Sequence, residues 1–231
     1  MWKLVLLVSL LPTVVAVIFR KGLCDRVLVK SRAGVTNQTG RELAKSVLRR
    51  AKAEEEVSIV EKRRAGVSLQ PAELRLSKDL AEGRGVLALG EVALMCGESI
   101  VAARQPDLLK WRQWAVRFGW AFPAFTMVVV VFAIVVGKVP AMWGISIVVA
   151  ALGIASGILL ASLTVMREAA GMAARVVEDS AALPRGADRE EVAQVCRALA
   201  YRRVVPGAID WLMGSPRGAD GRKESRARIE G

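Results

Sequence analysis

Three stretches of the chain abandon the polar–apolar alternation of a soluble protein, and they set its organisation. Trp2 to Phe19 is apolar except for Lys3, Ser9, Pro12 and Thr13, and Arg20-Lys21 closes it. Phe118 to Leu163 is a block of 46 residues whose only charge is Lys138, set in a Gly137-Lys138-Val139-Pro140 break. The break leaves halves of 19 residues, 118–136, and 26 residues, 140–165. A helix needs ~20 residues to cross the ~30 Å hydrocarbon core of a bilayer, a longer one tilting. Both halves are expected to span, as a tight hairpin. The third stretch, Val86 to Ala103, carries only Glu91, Glu98 and small polar residues among its apolar ones, and reads as a helix buried on most sides.

Between these stretches the helical and strand periods are legible. Thr39-Gly40-Arg41-Glu42 is a capping box, followed by Leu43, Val47 and Leu48, and predicts a helix over about 41–55. Val57-Ser58-Ile59-Val60 and Glu73-Leu74-Arg75-Leu76 read as short strands around a turn region holding Gly66 and Pro71. After the hairpin, Arg167 to Glu178 reads as a helix ended by Leu183-Pro184. Asp188 is expected to cap another, with Val192, Val195, Cys196 and Leu199 on one face. Past Gly214 the composition offers almost no apolar burial, which predicts a disordered basic tail. The fold class expected is a mostly α membrane protein with three transmembrane helices and a small α+β cytoplasmic domain. Its parts are an anchor at 1–20, a cytoplasmic domain at 21–117, a hairpin at 118–166, cytoplasmic helices at 167–213 and the tail at 214–231. The first span could be a signal peptide, but no small-x-small cleavage site precedes Arg20-Lys21, so a retained anchor is expected.

Charge orients these parts. The segment 20–117 holds 20 of the 34 Lys and Arg residues and the tail from Arg167 holds 12, leaving Lys3 and Lys138 for the far side. The positive-inside bias then puts 20–117 and 167–231 in the cytoplasm of a multi-pass cell-membrane protein. The net charge of +12 follows from that bias and from attraction to anionic headgroups, at ~1 kcal/mol for each cation near the surface. Nucleic acid is not an expected partner, because 12 acidic residues are dispersed among the 20 basic ones of 20–117. Trp111, Trp114 and Trp120, with Arg112 and Arg117, read as interfacial anchors. Gly153, Gly157 and Ala161 form a small-residue stripe for a close helix contact, with the first hairpin helix or the anchor, or in a homo-oligomer.

Candidate chemistry is narrowed by one absence: the 231 residues contain no histidine. That removes imidazole zinc ligands, Ser-His-Asp and Cys-His nucleophiles and an imidazole base. There is no Walker loop or dinucleotide glycine fingerprint, and Tyr201 is the only tyrosine. Cys24, Cys96 and Cys196 lack zinc-knuckle or C-x-x-C spacing, and an apolar mid-helix setting makes Cys96 a structural thiol.

The layout as a whole nonetheless resembles the YugP-type membrane zinc metallopeptidases. The shared features are an N-terminal anchor, the Thr-Gly-x-Glu capped helix, the strand ending Leu74-Arg75-Leu76-Ser77, a turn at Gly83 to Gly85, the buried helix and the hairpin. The resemblance covers about residues 35–175. In that family the buried helix carries Ala-Ala-His-Glu-x-Gly-His-Ala, whose two His bind zinc while the Glu acts as general base. The matching stretch here is Val92-Ala93-Leu94-Met95-Cys96-Gly97-Glu98-Ser99. The resemblance therefore puts Leu94 at the first ligand position, Met95 at the base and Glu98 at the second ligand. After the hairpin, Leu-Pro-Val-Glu-Phe-Asp-Ala-Ser becomes Leu163-Thr164-Val165-Met166-Arg167-Glu168-Ala169-Ala170, so Met166 replaces the third ligand and Glu168 the supporting acid.

The resemblance implies a zinc-peptidase scaffold emptied of its metal, with no cofactor expected, binding a membrane partner or substrate as a pseudoenzyme. A second reading is a metal-dependent hydrolase in which Glu91, Glu98 and Glu168 hold a hard cation; ion pairs of these acids with Arg104, Arg167 or Arg175 are the plainer alternative. Met95, Cys96 and Met166 would make a soft Cu(I) set. A plain anchor with no ancestral site would leave helix 86–104 unpacked against 164–175.

Overall fold

The computed structural model describes residues 2–31, 34–69, 72–179, 183, 186–207 and 209. The sequence's expected tail at 214–231 and its helix-ending Pro184 lie outside the described residues. Helix α1, Trp2–Phe19, does not stop at Arg20-Lys21. It runs on through a π-helical turn, Arg20–Asp25, into α2, Arg26–Lys30. Arg20 is 2% exposed, and Asp25 lies 3.9 Å away as its counter-charge, which lets the helix carry a cation where the sequence suggests an end.

Helix α3, Gly40–Arg50, opens on the expected capping box. Thr39 Oγ1 accepts from the Glu42 amide at 3.4 Å and the Thr39 amide donates to the Glu42 carboxylate at 2.9 Å. The helix closes five residues before the expected end at Glu55, because Lys52 turns the chain left-handed at φ 53°. The turn region between the expected strands contains a third one. Strands β1 (Ser58–Glu61), β2 (Gly66–Leu69) and β3 (Ala72–Leu76) form a sheet of order β1-β3-β2, with β1 parallel and β2 antiparallel to β3. Leu74 and Leu76 alternate into the core beneath it.

A short helix, α4 (Lys78–Glu82), leads into α5 (Val86–Arg104), the central helix of the polar part. Its glycines are contact points. A Cβ on Gly90 would meet Val195 Cγ1 at 2.4 Å, and one on Gly97 would meet the Ala169 carbonyl at 2.3 Å. Those neighbours belong to α9 (Gly186–Leu199) and α8 (Leu163–Asp179). Helix 86–104 is thus packed on the segment after the hairpin, against the plain-anchor reading. Asp188 sits in the first turn of α9 rather than capping it, since the helix already starts at Gly186. One core, including Leu43, Leu74, Leu89, Val92, Val177 and Val192, joins the segments on either side of the hairpin.

The hairpin is α6 (Pro106–Val135) and α7 (Ala141–Ala161), joined through Lys138 at φ 53°. The second half ends at Ser162, not at Val165. The Ser162 hydroxyl donates to the Leu159 carbonyl at 2.8 Å, and α8 starts at the next residue. Helix α1 lies against α7 where the small-residue stripe begins. A Cβ on Gly153 would stand 2.0 Å from the Ser9 carbonyl, and Thr13 and Ser156 share a buried hydrogen bond of 3.0 Å. Gly157 faces open space.

Among the described residues four helical segments, not the expected three, are long and apolar enough to cross a membrane: 7–30, 86–104, 106–135 and 141–179. The additional one is α5, whose apolar window is 72% buried inside the protein, against 17–33% for the other three. Its side chains are sheathed by protein on nearly every side.

Candidate functional site

One face of α5 lines a cleft of about 1050 Å³, to which α9 adds Leu199. Leu87, Glu91, Leu94, Met95 and Glu98 supply its floor at helical spacing, i, i+4, i+7, i+8 and i+11. Helix α8 contributes Met166, α6 contributes Leu109, Arg112, Gln113, Val116 and Arg117, and Arg63 and Arg64 stand on the β1–β2 turn. The four positions that the sequence resemblance assigns to ligands and base, Leu94, Met95, Glu98 and Met166, therefore open on one space. They are separated in the chain by the whole hairpin.

Their environment is mostly apolar. Leu94 and Met95 are each 7% exposed and Met166 is 3% exposed, so each is packed down with only a small face on the cleft. Glu91 and Glu98 are half-buried and share the cleft with the guanidinium groups of Arg112, Arg117 and Arg202. Glu168 is exposed and is not part of the cleft wall. Its helix turns it outward, two positions beyond Met166, so the Glu91, Glu98 and Glu168 set is not brought together. Among the described residues no group of three His, Cys, Asp or Glu side chains is placed to hold a metal ion. Arg104 goes to Glu56 at 3.9 Å and to the Ala51 carbonyl at 3.0 Å, rather than to an acid of the cleft.

The thiols lie outside it. Cys96 is fully buried and does not line the cleft that Met95 and Met166 share, so the soft trio does not face one space. Cys196 on α9 donates to the Ala170 carbonyl at 3.7 Å. Burial pushes its thiol up to about 12, with Arg197 opposing and Glu98 adding to the rise. A neutral thiol of that kind is a packing group, not a nucleophile.

Arg112 corrects the reading of α6. It is 4% exposed, with Nη1 donating to Ser162 Oγ at 3.4 Å, and belongs to the cleft wall rather than to the exposed aromatic surface of the helix. The aromatic side is separate: Trp111, Trp114, Phe118 and Phe122 stack in sequence with centroids 5.1, 5.1 and 4.7 Å apart. The signal for Arg112 was in the chain, because Leu109, Arg112, Gln113 and Val116 share one face at i, i+3, i+4 and i+7. The contributions of Arg63, Arg64 and Arg202 had no such local signal.

Zinc is bound by imidazole, thiolate or carboxylate, usually as four tetrahedral ligands. This cleft offers Leu94, Met95 and Met166 at three of the four compared positions and a carboxylate only at Glu98, in a chain without histidine. That donor set does not fit a zinc ion.

A family model described as "Putative neutral zinc metallopeptidase" matches residues 2–211. No curated protein and no solved structure matches the chain.

Proposed function

The chain belongs to the neutral zinc metallopeptidase family, and from that premise we propose that it is a pseudopeptidase, a membrane protein that keeps the family's cleft for binding and has lost hydrolysis. One observation carries the reading. The cleft survives at about 1050 Å³ while the side chains facing it at the base and two ligand positions are Met95, Leu94 and Met166. Peptide hydrolysis by this route needs lone pairs to hold the metal and a base to take a proton from water. Leucine and methionine provide neither the charge nor the proton acceptor. Filling polar positions with apolar groups also removes the cost of burying carboxylates without a metal between them. What remains is a concave, partly apolar surface beside the hairpin, suited to a chain segment of a membrane partner.

The membrane arrangement follows the charge distribution. Helices α1, α6 and α7 span, α5 stays within the polar domain because protein already covers it, and residues 20–117 and 167–231 face the cytoplasm. The family's substrate, or a protein an active relative would cleave, then reaches the cleft from the bilayer side along α6. Sequestering such a segment uncut is the proposed role.

The test places a photo-crosslinking amino acid at Leu87, on the cleft wall, and separately at Trp143, 64% exposed on α7. The same membrane protein captured from Leu87 but not from Trp143, with no cleavage of it on prolonged incubation with added zinc, is the expected result. Cleavage of the captured protein, or equal capture at both positions, would contradict the proposal.

A further inference from the structure

Beyond the lost metal site, the cleft carries a charge that hydrolysis does not explain. Its walls hold Arg63, Arg64, Arg112, Arg117 and Arg202 against Asp79, Glu91 and Glu98. The basic β1–β2 turn divides into two kinds of cation. Lys62, on the turn, is held at 3.2 Å by Glu73, which also holds Arg75 of its own strand β3 at 3.1 Å; Arg75 and then Lys62 keep the Glu73 carboxyl below its ordinary value. Arg63 and Arg64 are exposed and make no ion pair among the described residues. They stand on the boundary between the cleft and a second, open concavity of about 840 Å³.

Arg117 lines the same cleft and is exposed, on the last turn of α6 before the apolar run starts at Phe118. The stacked Trp111, Trp114, Phe118 and Phe122 lie along the same stretch of that helix, and Trp120, three residues past Arg117, is 66% exposed. Exposed tryptophans ahead of an apolar helix mark the level of lipid headgroups. The mouth of the cleft therefore opens at headgroup depth, with Leu109 and Val116 offering an apolar wall beside the arginines. Guanidinium groups grip phosphate oxygens in pairs, through a planar fork that lysine lacks.

We propose that the cleft mouth binds the phosphate of an anionic membrane lipid, with Arg63, Arg64 and Arg117 as its ligands. The proposal rests on the reading that α6 crosses the membrane. The lipid's acyl chains lie along the exposed apolar face of α6 while its headgroup bridges the β1–β2 turn and the helix. A bound lipid of this kind narrows the entrance through which a partner segment passes, and ties cleft access to the composition of the leaflet.

Native mass spectrometry of the detergent-purified chain, titrated with phosphatidylglycerol or phosphatidylcholine, tests it. The wild type is expected to retain one phosphatidylglycerol and no phosphatidylcholine. R63Q/R64Q/R117Q is expected to bind it about a hundredfold more weakly, whereas R49Q/R50Q at the exposed end of α3 leaves binding unchanged. Equal loss in both variants would reduce the site to general surface attraction and overturn the proposal. Displacement of the lipid by inorganic phosphate at equal concentration would identify a free anion as the ligand and overturn it too. Flotation with neutral vesicles separates the two readings. A chain that fails to float contradicts the membrane arrangement, while one that floats but binds lipid independently of the three arginines contradicts the lipid site alone.

Discussion

Helices α5, of 19 residues, and α7, of 21, are both apolar enough to cross a membrane, and they occupy opposite surroundings. Around α5 stand α3, α8, α9 and the sheet, and Leu89, Val92, Ala93 and Cys96 are fully buried. Along α7, Met142, Trp143, Ile145 and Ile154 are each more than half exposed, and α1 and α6 cover only part of it. Hydropathy alone does not separate a core helix from a spanning one. The presence of other chain segments with faces to cover it does, and a helix already sheathed by protein gains nothing from lipid.

Both helices use glycine for their tightest contacts, and the consequences of filling those positions break the comparison most sharply. At Gly97 an added Cβ would meet the Ala169 carbonyl at 2.3 Å, and at Gly153 it would meet the Ser9 carbonyl at 2.0 Å, rigid backbone in each case. Gly97→Ala is expected to lower the unfolding stability of the polar domain by about 3 kcal/mol and to open the cleft, because α5 and α8 are both cleft walls. Gly153→Ala is expected to detach α1 from α7 with the polar domain intact. Gly157→Ala, with nothing within 4 Å, should change little. Limited proteolysis of the three variants in detergent against temperature checks this; equal behaviour of Gly97→Ala and Gly157→Ala would refute the packing described.

A smaller effect sharpens the same contrast from the polar side, where α3 braces α5. Thr39→Ala removes one half of the capping box and is expected to cost about 1 kcal/mol, read as a lowered midpoint of thermal unfolding. Its pH dependence follows from Glu42, whose carboxyl is held below its ordinary value, first by the Thr39 amide and then by the Thr39 hydroxyl. A depressed folded-state value means that the contribution is present at neutral pH and is lost as pH falls through the acid range where Glu42 protonates in the folded protein. Glu42→Gln, which cannot ionise, should remove that part of the stability profile, whereas Thr39→Ala keeps the residue-39 amide and should only make it shallower. An acid limb unchanged in Glu42→Gln would mean that the box does not stabilise the helix.

Much of this organisation was legible locally. The capping box at Thr39, the hairpin break at Lys138 and the buried span from Val86 are each written within a few consecutive residues. Strand β2 was not, because Gly66-Val67-Ser68-Leu69 has little strand character of its own and takes its structure from pairing with β3. The run-on of α1 was hidden because Asp25, five residues away, compensates Arg20. In the cleft, Leu94, Met95, Glu98 and Met166 were reached by comparing motifs, and the fold brings them to one space. Glu168 was misplaced by a single helical rotation, and Arg112 looked like an interface anchor until its neighbours on α6 are seen to form the cleft wall. The local pattern on α6 shows the face that carries Arg112 but not its partner Ser162, which lies 50 residues away.

The central claim is that this cleft is a zinc-peptidase site whose ligands have been replaced, and it is tested most directly by putting them back. Zinc content is measured by elemental mass spectrometry on detergent-purified protein carrying a histidine-free tag, for the natural chain and for Leu94→His/Met95→Glu/Glu98→His/Met166→Glu. The account predicts no stoichiometric zinc in the natural chain and about one zinc for each variant chain, since the four positions line one cleft and two histidines four residues apart share a helix face. A folded variant that takes up no zinc, or a natural chain that purifies with one, would contradict it.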